Sequence, residues 1–535
     1  MYQAARLNLS GSTIRTAISF YGNRISFDQV FVLIDALAES FSARFHIGKG
    51  DAITLCMPNS PSALLAFYAA NKLGAAVNLV HPYIPPEKLS ESAKKTDSKL
   101  IVVYDAYPHA GEEKPAFGVP VLESDCGWFM GAAARAYYRL TNKKLGWGEK
   151  LEKLLKKKRG PSLPSVNFAP AEPAVYLASG GTTGEPKIIV HNNYTFNLLC
   201  SKAQEFLSEP LENYVSLYNV LPIFHGFGLC INMHMCMIMR RTNIMCIKFD
   251  AKRCARQIQK ERANILTGVP TMYLKLMGEK TFTGGDLSSI KDVFVGGDSA
   301  PRALIEKFDE VLKRGNSNAH MYEGYGLTET VTVCLVNTRE HNRPGSIGYP
   351  LSDTRVCIVK DGKKLPAGEV GEIYIRTPLF MQGYLGNGEQ PFERLEGETW
   401  LKTGDYGYLD EGRFSLFQTA HQEHDQGERR ARVSVGDRER GAFMPESEKG
   451  VRRGSFGHGE GAGRKTLRRK RGRGVAERRG AFAVPRETHR LRGAEIHRGA
   501  RSPACQSDRQ DRQKIFGRGK SEKYLTQRAS YCKMK

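Results

Sequence analysis

No CxxC pair and no regular spacing occurs among the eleven cysteines of this 535-residue chain. A disulfide framework is therefore not expected, and scattered thiols fit a reducing compartment. The first residues, "MYQAARLNLSGSTIRTA", contain no apolar run, so no secretory signal is read there. The longest apolar stretches, "LCINMHMCMIM" among them, fall short of the roughly 20 residues that cross a bilayer. A cytoplasmic protein is the resulting expectation. No internal repeat is found, which excludes a repeat array. The densest group of potential metal ligands is Cys230, His234, Cys236 and Cys246. It reads either as a metal site or as a buried methionine-rich helix, and the helix is the expectation because its spacing matches no common zinc pattern.

What the chain has in excess is positive charge, and it is unevenly placed. Residues 418–535 hold 31 Lys and Arg against 14 Asp and Glu, supplying +17 of the formal +23. Residues 1–417 are only mildly basic, so the overall charge does not by itself argue for nucleic acid. A second basic stretch, 134–160, is partly amphipathic. It reads as a surface helix or linker, with peripheral contact to anionic lipid as the alternative.

Hydrophobic patterning supports an α/β fold. "FDQVFVLIDALAESFSARF" has helical spacing, and "DAITLCMPN" is a short apolar run closed by turn residues. Helix, strand, helix and strand follow in "PSALLAFYAANKLGA", "AVNLV", "PPEKLSESAKKT" and "KLIVVYD". Alternation of this kind indicates a parallel sheet covered by helices. A second α/β series runs from about 172 to 340. From about 345 to 417 the text alternates at period two around a DGKK turn, which predicts a β-rich subdomain.

The strongest chemical signal is "VYLASGGTTGEPKIIVH" (175–191). An apolar strand enters Ser179, Gly180, Gly181, Thr182, Thr183 and Gly184, and Lys187 follows. Glycines permit a tight loop whose N–H groups face an anion, hydroxyls add donors, and the lysine adds charge for a polyphosphate. It is not a Walker A loop, because Glu185 and Pro186 separate Gly184 from Lys187 and no Ser or Thr follows the lysine.

"SGGTTGEPK" resembles the phosphate-loop signature of the adenylate-forming superfamily, which includes acyl-CoA synthetases, luciferases and peptide-synthetase adenylation domains. Further motifs stand in the family's order. "LPIFHGFGL" (221–229) is similar to the segment whose histidine, here His225, borders the acid pocket. "GVPTMY" and "VGGDSAP" (295–301, with Gly297) resemble stretches lining the acyl and adenine sites. "YEGYGLTET" (322–330) resembles the adenine and magnesium motif, and "TGDYG" (403–407) the ribose motif. The resemblance covers roughly 15–417, and it makes the N-terminus look slightly short for the family.

The resemblance implies a large N-terminal adenylate-forming domain, 1–417, followed by a small α+β domain. It implies ATP, Mg²⁺ and CoA as reactants, with a small-molecule carboxylic acid as substrate. Ser179 through Lys187 would hold the β and γ phosphates. Gly324, Tyr325 and Gly326 would line the adenine site, with Tyr325 stacked on the base. Thr328 would contact the α-phosphate, Glu329 would hold Mg²⁺, and Asp405 would bind ribose. Lys187, His225, Thr328 and Glu329 are thus the expected catalytic set. Each has a plain structural alternative: a core aromatic for Tyr325, a turn residue for Asp405, a packed core histidine for His225 and a surface pair for Glu329. Phe224, Phe227 and the methionines of 233–239 favour an apolar pocket, hence a fatty or aryl acid. CoA is expected over a carrier-protein thiol because no carrier domain is attached. A non-catalytic nucleotide-binding protein with a basic arm is the reading from a different class.

After Phe417 the family text stops. Three readings compete for 418–535: a basic tail, a diverged small domain or a slipped reading frame. Dropping the first base of the Gln418 codon lets "QTAHQEHDQG" spell R-x-K-N-M-I-K-V, which resembles the family's hinge. The same offset lets "VSVGDR" (433–438) spell Y-P-S-E-I-E. It also lets "DRQDRQK" (508–514) spell T-G-K-I-D-R-K, the family's catalytic-lysine motif, with lysine in place of Gln510. Gln422 and Gln510 are 88 positions apart, which fits one small domain. The expectation is a frame slip near 415–418 that leaves a poorly ordered Arg/Gly-rich tail, impaired catalysis and no specific nucleic-acid partner.

Overall fold

The computed structural model describes residues 1–412 and 415–417, except 8–13, 15, 110–113, 115, 143–144, 157–165, 167–171, 180–185 and 387–389. All of these belong to one unit, Met1–Glu448, and the second unit, Lys449–Lys535, lies outside the described residues. The expectations for 418–535 therefore fall outside them too.

The first α/β series forms where its patterning predicts. Phe27–Phe45 begins with a reciprocal cap: the Gln29 N–H donates to Ser26 Oγ at 3.1 Å, and the Ser26 N–H donates to Gln29 Oε1 at 2.9 Å. Pro61 opens the helix Pro61–Leu73 and Gly74, at φ 85°, closes it. Every residue of that helix is buried, as its nearly continuous apolar text requires. Lys72 is tolerated there because its ammonium meets Asp35 at 2.8 Å.

Three sheets organise the chain. The eight-stranded sheet runs Gly383–Tyr384, Ile188–Asn192, Pro173–Ala178, Ala76–Leu79, Ala52–Cys56, Ser98–Tyr104, Val121–Ser124 and Glu149–Lys150. From Pro173–Ala178 onward its neighbours are parallel, while Ile188–Asn192 and Gly383–Tyr384 add antiparallel. The nine-stranded sheet has a parallel centre in the order Met321–Gly326, Asp292–Val295, Ile265–Gly268, Ser216–Asn219, Thr242–Met245 and Thr16–Phe20. Antiparallel strands close both of its edges.

The third sheet is antiparallel and has six strands between Arg355 and Phe417. Asp361 and Gly362, at φ 51° and 71°, turn its first hairpin, as the DGKK text requires. Tyr349–Pro350 joins the nine-stranded sheet instead, pairing with Val333–Val336.

The methionine-rich segment is helical and buried, but it starts as a π-helix, Phe227–His234, before Met235–Met239. His234 commits both ring nitrogens, to Tyr68 Oη at 2.7 Å and to Asn197 Oδ1 at 3.0 Å. Among the described residues no three or more His, Cys, Asp or Glu side chains gather as a metal-binding group. No helix among them is long and apolar enough to cross a membrane.

Candidate active site

In the parallel parts of the two large sheets, the loops that leave the carboxyl ends of strands contain Ser179–Lys187, His225, Gly297, Thr328 and Glu329, where ligands bind in α/β sheets. The segment 179–187 joins Pro173–Ala178 to its antiparallel neighbour Ile188–Asn192. Its base is clasped twice: Ser179 N–H donates to the Lys187 carbonyl at 2.8 Å, and Lys187 N–H donates to Ser179 Oγ at 3.0 Å. Gly180, Gly181, Thr182, Thr183 and Gly184 lie outside the described residues. Lys187 is exposed, and its ammonium lies 4.4 Å from the centre of the Tyr384 ring.

Thr328 and Glu329 sit in a single 3₁₀ turn, Thr328–Thr330, after the strand Met321–Gly326. Three outside contacts hold that turn. Buried His191 places Nε2 at 2.7 Å from the Thr328 carbonyl, the Met381 N–H donates to the Glu329 carbonyl at 2.7 Å, and Tyr384 Oη donates to Glu329 Oε1 at 2.9 Å. Burial holds the His191 imidazole neutral, with its pKa lowered from 6.5 to about 4. His191 therefore donates from Nε2 to the carbonyl.

Val331, at φ 67° and ψ −56°, ends the turn in a conformation a β-branched residue rarely adopts. Its carbonyl faces Gly226, where a Cβ would lie 1.6 Å from the oxygen. This is the close approach that "HGFG" requires, and it docks the 221–229 segment on the Thr328–Thr330 turn.

His225 beside it packs against Phe224 with ring centres 4.6 Å apart and planes tilted by 50°, and Phe224 packs against His81 at 4.6 Å and 59°. Burial, and secondarily His81, lowers the His225 pKa to about 4. His225 Nε2 has no hydrogen-bond partner among the described residues. Gly297 carries a positive φ of 77°, but the close approach to the Gly324 carbonyl is made by Gly296, whose Cβ would lie 3.0 Å away.

Tyr325 and Asp405 come from different sheets and meet: Tyr325 Oη donates to Asp405 Oδ2 at 2.6 Å. Burial, then the Asp405 carboxylate, raises the Tyr325 pKa well above its ordinary value. Asp405 is itself fixed by its N–H donating to Thr403 Oγ1 at 3.1 Å. Motifs 80 positions apart in the chain are thus brought together as a pair.

His191, Met381 and Tyr384 carry no sequence signal of their own. His191 lies in the strand Ile188–Asn192, just after the loop text, and Tyr384 lies in text read only as β-rich. Glu323 is a further residue the motifs did not single out. Its Oε2 is buried without a hydrogen-bond partner among the described residues, and burial lifts its pKa to about 7.

Two α/β sheets joined by an antiparallel one, with ligand loops at strand carboxyl ends, define an adenylate-forming fold. The structure of o-succinylbenzoate CoA synthetase from Bacillus subtilis, solved with an acyl-adenylate, superposes at a TM-score of 0.62 with 22% identity, covering 78% of this chain and 76% of that one. Anthranilate CoA ligase with anthranoyl-AMP gives 0.68 at 19% identity, covering 78% and 77%. The chain belongs to the AMP-binding enzyme family, whose model matches residues 9–385. It is 29% identical over 418 residues to a long-chain-fatty-acid–CoA ligase of Bacillus subtilis, covering 75% of this chain and 73% of that protein. It is 28% identical over 404 residues to 4-coumarate–CoA ligase of Vanilla planifolia, covering 72% and 69%.

Proposed function

We propose that residues 1–417 are the adenylating domain of an AMP-forming acid–CoA ligase that acts on a fatty or aryl acid. One observation carries the reading: Tyr384 ties Lys187 at the phosphate-loop base to Glu329 in the Thr328–Thr330 turn, and Tyr325, on the strand that leads into that turn, meets Asp405 from another sheet. The relatives named for CoA ligation of long-chain fatty acids and of 4-coumarate support the acid class, as do Phe224, Phe227 and the buried methionines 233, 235 and 237.

In this reading an acid oxygen attacks the α-phosphorus of ATP, the α–β phosphoanhydride bond breaks and pyrophosphate leaves. The CoA thiolate then attacks the acyl carbon and AMP leaves. The chain's contribution is mainly positioning and charge neutralisation. Ser179 through Lys187 grip the β and γ phosphates, and Thr328 meets the α-phosphate. Tyr325 presents its ring to adenine while its hydroxyl fixes Asp405 for the ribose. Neutral His225 borders the acid.

Glu329 fits a Mg²⁺ ligand. It is a half-buried carboxylate that no cation pairs among the described residues, and Mg²⁺ typically takes one or two carboxylates beside substrate phosphates. Bound there, the ion would neutralise charge on the phosphates.

Residues 418–535 stand where the family's hinge and small domain belong, and in frame they spell neither the hinge nor the catalytic-lysine motif. We infer that the reading frame slips near 415–418, so this chain binds ATP but adenylates poorly. Resequencing independent template across that stretch should show the offset. Pyrophosphate exchange over a panel of fatty and aryl acids should be strong only in the frame-restored protein. Full exchange by the present chain overturns the impairment, and no ATP binding by either protein overturns the function.

A further inference from the structure

Tyr384 stands outside every motif, yet it touches two of the residues placed in the ATP site. It lies on the two-residue strand Gly383–Tyr384, far along the chain from the sheet it joins. Backbone bonds fix that strand on both sides: Gln382 N–H donates to the Val190 carbonyl at 2.8 Å, and Leu385 N–H donates to the Ile188 carbonyl at 2.8 Å. The Tyr384 N–H donates to Gln390 Oε1 at 2.8 Å. The ring is thereby held beside the strand that leaves the phosphate loop. Its face receives the Lys187 ammonium at 4.4 Å, and its hydroxyl donates to Glu329 Oε1 at 2.9 Å. Lys187 and Glu329, opposite charges that both contact this one side chain, form no ion pair with each other among the described residues.

We propose that Tyr384 is a positioning residue that keeps Lys187 and Glu329 apart and aimed, so that the lysine remains free for phosphate and the carboxylate for Mg²⁺. The inference rests on the roles given to Lys187 and Glu329 above. A direct Lys187–Glu329 pair would satisfy both charges internally, and nucleotide would have to break it. The tyrosine offers each a weaker partner: a ring face for the cation and one neutral donor for a single carboxylate oxygen. The other carboxylate oxygen keeps its full negative character for a metal. Met381, three residues earlier, holds the Glu329 backbone, so one short segment sets both the main chain and the side chain of the expected metal ligand.

The test is calorimetric binding of ATP to the full chain, with Mg²⁺ and with EDTA, so no turnover is needed. Tyr384→Phe keeps the ring under Lys187 and removes only the hydroxyl. It should weaken MgATP binding about tenfold and leave binding in EDTA unchanged. Tyr384→Leu removes the ring as well and should weaken binding in both conditions, because Lys187 is then free to pair with Glu329. Glu329→Gln should reproduce the Mg²⁺-specific loss, and Tyr384→Phe added to it should cost nothing further. Wild-type binding combined with an unchanged Mg²⁺ response in Tyr384→Phe overturns the role of Tyr384 alone. Additive losses in the double variant overturn it too. No ATP binding by the wild type overturns the site reading and this inference together. Melting curves of each variant without nucleotide show whether it is folded, and the double-variant comparison holds even if Tyr384→Leu is not.

Discussion

His191 has no place in the motif set, yet it holds the carbonyl of Thr328 from a fully buried position. Its folded pKa of about 4 lies below the ordinary 6.5, so between those values the unfolded chain binds a proton that the folded chain refuses. Stability from this residue is therefore complete above pH 6.5 and lost as pH falls towards 4. Replacement by Gln keeps an N–H donor without the titration. The wild type should accordingly lose on the order of 3 kcal/mol relative to His191→Gln between pH 6.5 and 4, read from chemical denaturation. A pH-independent difference between the two proteins would remove the buried-neutral account. At this scale the text singles out a residue only where its neighbours are unusual, as with Lys187 after a glycine loop. It was silent where a residue supports another from a distance, because a buried histidine or a strand tyrosine reads the same whether or not it touches a site.

At the scale of elements, the Thr328–Thr330 turn is pinned between loops contributed by distant parts of the chain. Gly226 presses on the Val331 carbonyl from one side, and at Gly326 a Cβ would lie 1.5 Å from the Thr332 carbonyl. Backbone against backbone leaves no flexible side chain to give way. Gly226→Ala should cost more than about 2 kcal/mol of stability and weaken ATP binding, since the turn bearing Thr328 and Glu329 must shift. Thermal melting and calorimetry on that variant check both effects, and an unchanged melting temperature would show that the loops dock more loosely. The helices and strands of the first half could be read from periodicity because each buries one face or all faces in the way its text dictates. The π-helical start of the methionine-rich segment could not. Helical hydrogen-bond register depends on what packs around Phe227–His234, and the apolar text is equally compatible with an α-helix.

For the molecule as a whole, the formal charge of +23 is misleading about function, because +17 of it follows Phe417. If the described unit carries nucleotide binding and 418–535 contributes nothing to it, ending the chain after Phe417 should leave ATP affinity and melting temperature unchanged. The same truncation separates the rival reading. Salt-sensitive binding of RNA or DNA by the full chain that disappears on truncation would make the basic segment a functional arm. Loss of ATP affinity on truncation would instead show that 418–535 supports the site.

The sequence by itself determined the local decisions: which runs become helices and strands, where glycines must turn, and that a glycine-rich loop follows an apolar strand. The proposed frame slip at "FSLFQTAHQEHDQG" likewise rests on the text alone, since a codon table needs no coordinates. Only the tertiary structure decided who meets whom. Tyr325 reaches Asp405 because strands from different sheets converge, and Tyr384 reaches Lys187 and Glu329 because two residues leave the antiparallel sheet to extend another. Periodicity records which face of an element is buried. The partner across that face is fixed by non-local strand pairing and close packing, which a single line of text does not encode.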